Sequence, residues 1–417
     1  MLNNFKIKTE EINKIKKISK EEKRFRVKNL SLFNESGFPN KKNEDWKFSD
    51  LKRIISTNFD KLIPIKKKII KKNFNFIKDF EHNYIVLING ELNSSNFKYE
   101  EKENLKIKTF EEKNFFEEKK NNSLLNLNHA LFKKGYSLEV KENYKFKNIL
   151  IIYNLFTENL KANILNSKNK IVLKKNSELH TIDYVINLSK NKFFNNVHES
   201  VILEDKAVYK NICIQNEKSN GFFHKFSKSN LASDSNYSSF IFPSGLKFNK
   251  LDLEFNLQGP RSKCNLQSAF FSNSNDHQEI KTSINHLAPN CKSYQKVKTV
   301  LNSEGKGVYQ GKILVKENAQ KTDAYQLSKA MLLSDKSEFN SKPELEIYAD
   351  DVKCSHGSSS GSIDEDSIYY LMSRGLSRKE AIKLLVNGFL NEVIEMIKNN
   401  SIREFVQKKI ERQIHEY

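Results

Sequence analysis

Thiols are scarce in this chain and never clustered. Four cysteines occur in 417 residues, at Cys213, Cys264, Cys291 and Cys354, with no CxxC pair. Zinc ribbons and self-contained iron–sulfur ferredoxins concentrate thiolates at short spacings, so both are excluded. Long apolar runs are missing too. The longest lies near "ILIIY", Ile149 to Tyr153, far short of the ~20 residues a spanning helix needs. The opening residues, MLNNFKIKTEEINKIKK, hold no apolar central region of the kind an export signal carries. The expectation is a soluble cytoplasmic protein with no membrane partner and no disulfide framework.

What is abundant is lysine. The net charge is +20, and residues 1–100 carry 23 Lys and Arg against 13 Asp and Glu. A basic chain raises the question of nucleic acid. Here aromatic residues do not interleave with arginines and no nucleic-acid module signature appears. The plain reading is a solvated lysine surface, with no nucleic-acid partner; such a surface can still assist docking to an acidic protein.

The first segment reads as helical. Ser19 and Glu22 stand at capping-box spacing, and Gly37 and Pro39 follow as stop signals. The only tryptophan, Trp46, sits among charges in NEDWKFSDL and is assigned to packing. Tyr84 to Leu92 is a strand entering a turn at Asn89-Gly90. Charged sequence of helical character is expected from there to about Asn122, followed by a short helix in SLLNLNHALF.

From about Gly135 to Asp335, short β-rich runs recur, punctuated by Asn, Ser and Gly. No long helical patterns separate them, which excludes βαβ units. A sandwich, a barrel or a parallel β-helix all fit, and no strict repeat decides among them. At the C-terminal end, Ser362/Glu365, Ser377/Glu380 and Ser401/Glu404 form three S-x-x-E capping boxes, each expected to open a helix. The second helix carries Ile382, Leu385, Phe389 and Val393 on one face. Its apolar surface is wider than one partner would bury, so it meets either the β-rich region or another protein.

Between these regions lies YADDVKCSHGSSSGSIDEDS, from Tyr348 to Ser367. Cys354 and His356 are two residues apart, hence on one face of a strand, ahead of a loose Gly/Ser loop. Thiolate and imidazole both suit iron or zinc. Lys353 could favour a thiolate, though it points to the opposite face, and Asp350 and Asp351 add carboxylates. Two residues cannot complete a tetrahedral site, and a small buried thiol beside a strand-end histidine is the ordinary alternative. Spacing alone favours structure over ligation. No orienting third residue supports Cys/His catalysis. What is left is half of a site that another chain would complete.

The stretch from Lys342 to Leu390 resembles the C-terminal signature of the SufB/SufD family of the Suf iron–sulfur cluster assembly machinery, on its SufD side. The likeness continues upstream from His286 to Asp335, and NEDWKFSDL resembles the family's E-x-W-K-[YF] element. After Gly357, SSSGS stands where the family usually has an Ala-Thr-Val-Gly type loop. The resemblance implies a mainly β fold with flanking helices: a right-handed parallel β-helix core (135–345) between a helical or mixed N-terminal domain (1–134) and a helical C-terminal domain (346–417). It implies a non-catalytic scaffold that pairs with SufB through the β-helix and docks the ATPase SufC through the C-terminal helices, with Ile382, Leu385, Phe389 and Val393 as the docking face. His356, with Cys354 as its neighbour, is implied as a ligand of a nascent iron–sulfur cluster shared with SufB. No cofactor is then bound stably, ATP is used on SufC only, and a flavin is left open. When isolated the chain would form a homodimer. The rivals are a SufB-like scaffold acting as a homodimer and a β-helix carbohydrate-active enzyme. The enzyme would need an export signal and paired carboxylates in a groove, and no such pair can be named.

Overall fold

The β-rich runs wind into a parallel β-helix. The computed structural model describes residues 5–15, 18–64, 74–111, 122–215, 218–273 and 275–415. Each successive strand crosses to the opposite sheet and pairs in parallel with the strand two before it. One sheet runs from Leu105–Thr109 and Lys133–Val140 to Glu338–Ile347; the other runs from the hairpin Asn83–Ile88 and Glu91–Asn96 to Val352–Ser362. The coil therefore begins before residue 135. The boundary expected at 345 falls inside it, because Val352–Ser362 continues the ladder of Thr322–Leu332 residue by residue. The Gly/Ser stretch after Gly357 is likewise strand, with Ser358 opposite Ser328 and Ser362 opposite Leu332.

A single corner repeats along the coil. Asn143, Asn176, Lys206, Asp234, Arg261, Asn290 and Lys321 all have φ between 56° and 64°, roughly every 30 residues. Each donates its backbone N–H to a carbonyl of the next turn: Asn176 to Asp205 O at 2.8 Å, Asp234 to Pro260 O at 3.0 Å, Lys321 to Asp351 O at 2.6 Å. This left-handed conformation costs a side chain energy, and the cost is offset by satisfying a backbone donor that would otherwise stand unpaired at the corner.

Helices cover both outer faces, as parallel sheets require. Lys20–Ser36, Leu51–Asn58 and Ser123–Leu131 lay Leu30, Phe33, Leu51, Ile55 and Leu127 on Ile164, Phe194, Phe222 and Phe248 of one sheet. Arg378–Ile394 and Asn400–His415 lay Val386, Leu390, Val393, Phe405 and Ile410 on Ile151, Ile182, Ile212, Phe240 and Phe271 of the other. Trp46 is buried, its ring 4.7 Å from the Lys250 ammonium, so its role is packing as expected.

The helix starts divide. Ser19 caps Lys20–Ser36 by accepting from Glu22 N, and Ser377 forms a complete capping box with Glu380. Ser362 does not cap: it is the last residue of a strand, and Asp364 caps Glu365–Ser373 instead. Ser401 lies inside its helix, and in the first turn the Ile402 N–H donates to Asn399 Oδ1. The expected helical character after Leu92 is also overturned. Residues Leu105–Thr109 are a strand, because antiparallel pairing with Lys133–Val140 outweighs local helix propensity; residues 112–121 lie outside the described residues.

Candidate functional site

The two ends of the coil differ. At the N-terminal end, antiparallel strands close it, Glu91–Asn96 on one sheet and Leu105–Thr109 on the other. At the C-terminal end, among the described residues, nothing pairs with the outer edges of Glu338–Ile347 and Val352–Ser362. Tyr348 there is 61% exposed, beside exposed Ile347 and Tyr325. An open sheet edge flanked by exposed large apolar side chains is a template for another chain.

Cys354 and His356 lie on this last strand. Cys354 is in register with Ala324 and His356 with Gln326. Both of those partners are almost fully buried inside the coil, and paired positions of a parallel ladder point the same way. The terminal Cys354 and His356 therefore face inward, on the interior side of a coil that, among the described residues, has no further turn to cover them. Cys354 is half-buried against the cluster of Ile313, Val315, Ala319, Ala324 and Ala349. His356 is exposed, and among the described residues no hydrogen-bond partner holds its ring.

Electrostatics argue against a resting thiolate. Burial pushes the Cys354 thiol up; a hydrogen bond from the Ala324 backbone works the other way without overcoming it, and the nearby Asp323 carboxylate pushes it up further. Lys353, on the opposite face, does not reverse this. The other cysteines are buried, and burial raises Cys213 to about 12 and pushes up Cys264 and Cys291. Asp350 and Asp351 are exposed, and Asp351 serves the turn with its backbone: its N–H donates to Gln320 Oε1 at 2.9 Å and its carbonyl accepts from Lys321. Among the described residues no group of three His, Cys, Asp or Glu is placed to hold a metal ion. The geometry thus gathers two candidate donors and no third, which is half a coordination sphere.

The expected docking face on Arg378–Ile394 is mostly turned inward. Val393 is fully buried in the chain's own core, and Ile382, Leu385 and Phe389 are half-buried against it. Phe389 lies under the Lys298 ammonium at 4.3 Å, and Glu392 pairs with both Lys296 and Lys298. This face fastens the helix to its own sheet. The free apolar surface is elsewhere: Tyr369 is 77% exposed, Tyr370 58% and Leu384 51%, with Met372 and Met396 also exposed. Sequence reasoning passed over the Tyr369-Tyr370 pair. Its signal was two adjacent aromatics on a short helix, Glu365–Ser373, which can bury only one side.

Comparisons with known proteins bear on the family of this fold. The family model for the SUF system FeS cluster assembly SufBD core domain matches residues 156–389, more than half the chain. The chain belongs to the SufBD family of iron–sulfur cluster assembly proteins. It is 28% identical over 252 residues to the iron–sulfur cluster assembly protein SufD of Escherichia coli K12, covering 60% of this chain and 59% of that protein. It is 31% identical over 209 residues to the SufBD family protein slr0076 of Synechocystis, covering 49% and 45%. It is 26% identical over 249 residues to the chloroplastic protein ABCI7 of Arabidopsis thaliana, covering 59% and 52%. The matched stretch spans about half to three-fifths of these relatives. Among the described residues, no helix is long and apolar enough to cross a membrane.

Proposed function

We propose that this chain is a non-catalytic scaffold subunit of cytoplasmic iron–sulfur cluster assembly, acting beside SufB and SufC as SufD does. A SufB β-helix docks on the open edge formed by Glu338–Ile347 and Val352–Ser362. A nascent cluster, the cargo of the complex, forms across that junction with His356 as this chain's ligand. The observation that carries the reading is His356 itself: inward-facing, exposed, and on one of the two terminal strands whose outer edges are unpaired among the described residues. Burial raises the thiols of Cys213 and Cys354 above their ordinary range, which favours taking the thiolate ligand from the partner. Cys354 supports the strand by packing.

Shared and incomplete ligation suits a scaffold. A four-cysteine cage would keep its cluster, whereas an imidazole set against a partner thiolate lets go cheaply when the junction opens. Hydrolysis of ATP on SufC, docked through Tyr369, Tyr370 and Leu384, supplies the movement that opens it.

The test is co-purification with SufB and SufC, followed by His356→Ala. Cluster yield is expected to fall while the three proteins stay together. An unchanged yield would reduce His356 to a surface residue of the interface.

A further inference from the structure

One group of charges lies inside the coil, in its middle turns. Asp183 stands in register between Ile152 and Cys213, and Cys213 is followed by Ile241 on the next rung; these three neighbours belong to the main interior cluster. Lys225, from the other sheet, is in register with Leu251 of the same cluster. The Lys225 ammonium lies 2.8 Å from Glu199 Oε1, on its own sheet, and 3.4 Å from Asp183 Oδ2 across the interior. Both carboxylates are buried, and the Lys225 side chain is 20% exposed.

Two carboxylates thus share one ammonium. Among the described residues no second cation pairs with either. The remaining neighbours are neutral. Ser227 Oγ donates to Glu199 Oε1 at 3.1 Å, and Asn211 Nδ2 donates to Asp183 Oδ2 at 3.4 Å. The Tyr136, Tyr209 and Tyr237 hydroxyls and the Cys213 thiol face the group, and burial first, then these carboxylates, keeps each of them protonated. With both carboxylates ionised, the interior would carry an uncompensated negative charge, which is costly in a low-dielectric site and is relieved by retaining a proton. Glu199 has the shorter contact to Lys225 and the Ser227 hydroxyl as well, so Asp183 is the member that keeps the proton. Burial raises the Asp183 pKa above its ordinary 3.8; Lys225 pulls it down, Glu199 pushes it up, and the raised direction wins.

We infer that Asp183, Glu199 and Lys225 form a proton lock between the two sheets: one proton held on the carboxylate pair balances its charge, and release of that proton to solvent at higher pH loosens the contact across the interior. The folded chain holds the proton more tightly than the unfolded chain. The contribution to stability is therefore full below about 3.8 and is lost as pH rises through the higher folded value. The lock is closed on the acid side and open on the alkaline side.

The experiment is a pH titration of the full chain followed by infrared difference spectroscopy, which reads the C=O stretch of protonated carboxyl groups. The native chain should show a carboxyl that titrates above the ordinary range. That band should be lost in Asp183→Asn and kept in Asp276→Asn. Hydrogen–deuterium exchange, corrected for the intrinsic effect of pH, is read in parallel on Glu178–Asn187 and Ser219–Leu231. Exchange there should rise as the band disappears in the native chain and stay level in Asp183→Asn, which is neutral at every pH. A band unchanged in Asp183→Asn, or exchange that follows pH alike in both chains, would overturn the inference. Should that variant fail to fold, Glu199→Gln carries the test. It leaves one carboxylate for one ammonium, so the Asp183 band should shift to lower pH, and an unshifted titration overturns the inference there.

Discussion

The Lys250 ammonium and the Glu279 carboxylate pair directly, and neither side chain has any exposure to solvent. Around them Ser49 Oγ donates to Glu279 Oε2 at 2.6 Å, Gln310 Nε2 donates to Glu279 Oε1 at 2.7 Å, and Lys250 donates to the Asp45 carbonyl at 2.9 Å. The pair thus fastens the Trp46 segment to the outside of the coil. Removing one member leaves the other charged and buried, so Glu279→Ala should cost roughly 3–5 kcal/mol in urea unfolding. Replacing both, as Lys250→Met with Glu279→Leu, should recover much of that loss. Burial alone would raise the Glu279 pKa, but Lys250 and His277 overcome it and hold the group at about 2 instead of its ordinary 4.5. A depressed carboxylate stabilises the fold above its unfolded value, so this contribution should disappear as pH falls from about 4.5 to about 2.

Asp276 should act with the opposite sign. Burial raises it to about 6 from 3.8, and Lys247, at 3.6 Å, only partly offsets this. The folded state then holds a proton that the unfolded state has released. Its contribution to stability is full below about 3.8 and declines as pH rises to about 6. Asp276→Asn should flatten that part of the curve of melting temperature against pH. A curve parallel to the native one would show that Asp276 ionises normally.

The second C-terminal helix should separate fold from docking. Leu390 is fully buried against the sheet, whereas Leu384 on the same helix is exposed. Leu390→Ala should cost roughly 2–5 kcal/mol. Leu384→Asp with Tyr370→Asp should change stability by no more than about 0.5 kcal/mol per site, yet release SufC from the purified complex. Retention of SufC by the double variant would move the docking surface elsewhere. Phe389→Asp is the poorer probe, since Phe389 already packs under Lys298.

Some of this architecture was readable along the chain and some was not. Ser19, Ser377 and Gly37 punctuate helices as local chemistry requires. Ser362 and Ser401 carry the same spacing and punctuate nothing, because S-x-x-E is a local pattern and a strand pairing or a neighbouring Asn can claim the position. The coil's period was hidden for a related reason. Its corner is defined by a backbone conformation and a backbone hydrogen bond, and Asn, Lys, Asp and Arg all serve there. No side-chain repeat needs to accompany such a turn.

By itself the sequence determined the family signature around Cys354 and His356, the two-residue spacing that places both on one face, and the alternation that makes strands. Those are short-range properties, set by bonds and side-chain chemistry within a few residues. Which face is the inside, that His356 sits on an uncovered last turn, and that Val393 serves the core while Tyr369 and Tyr370 stay outside were decided only by tertiary structure. Each depends on what lies a full turn of the coil away or on the opposite sheet, and no local pattern carries that information.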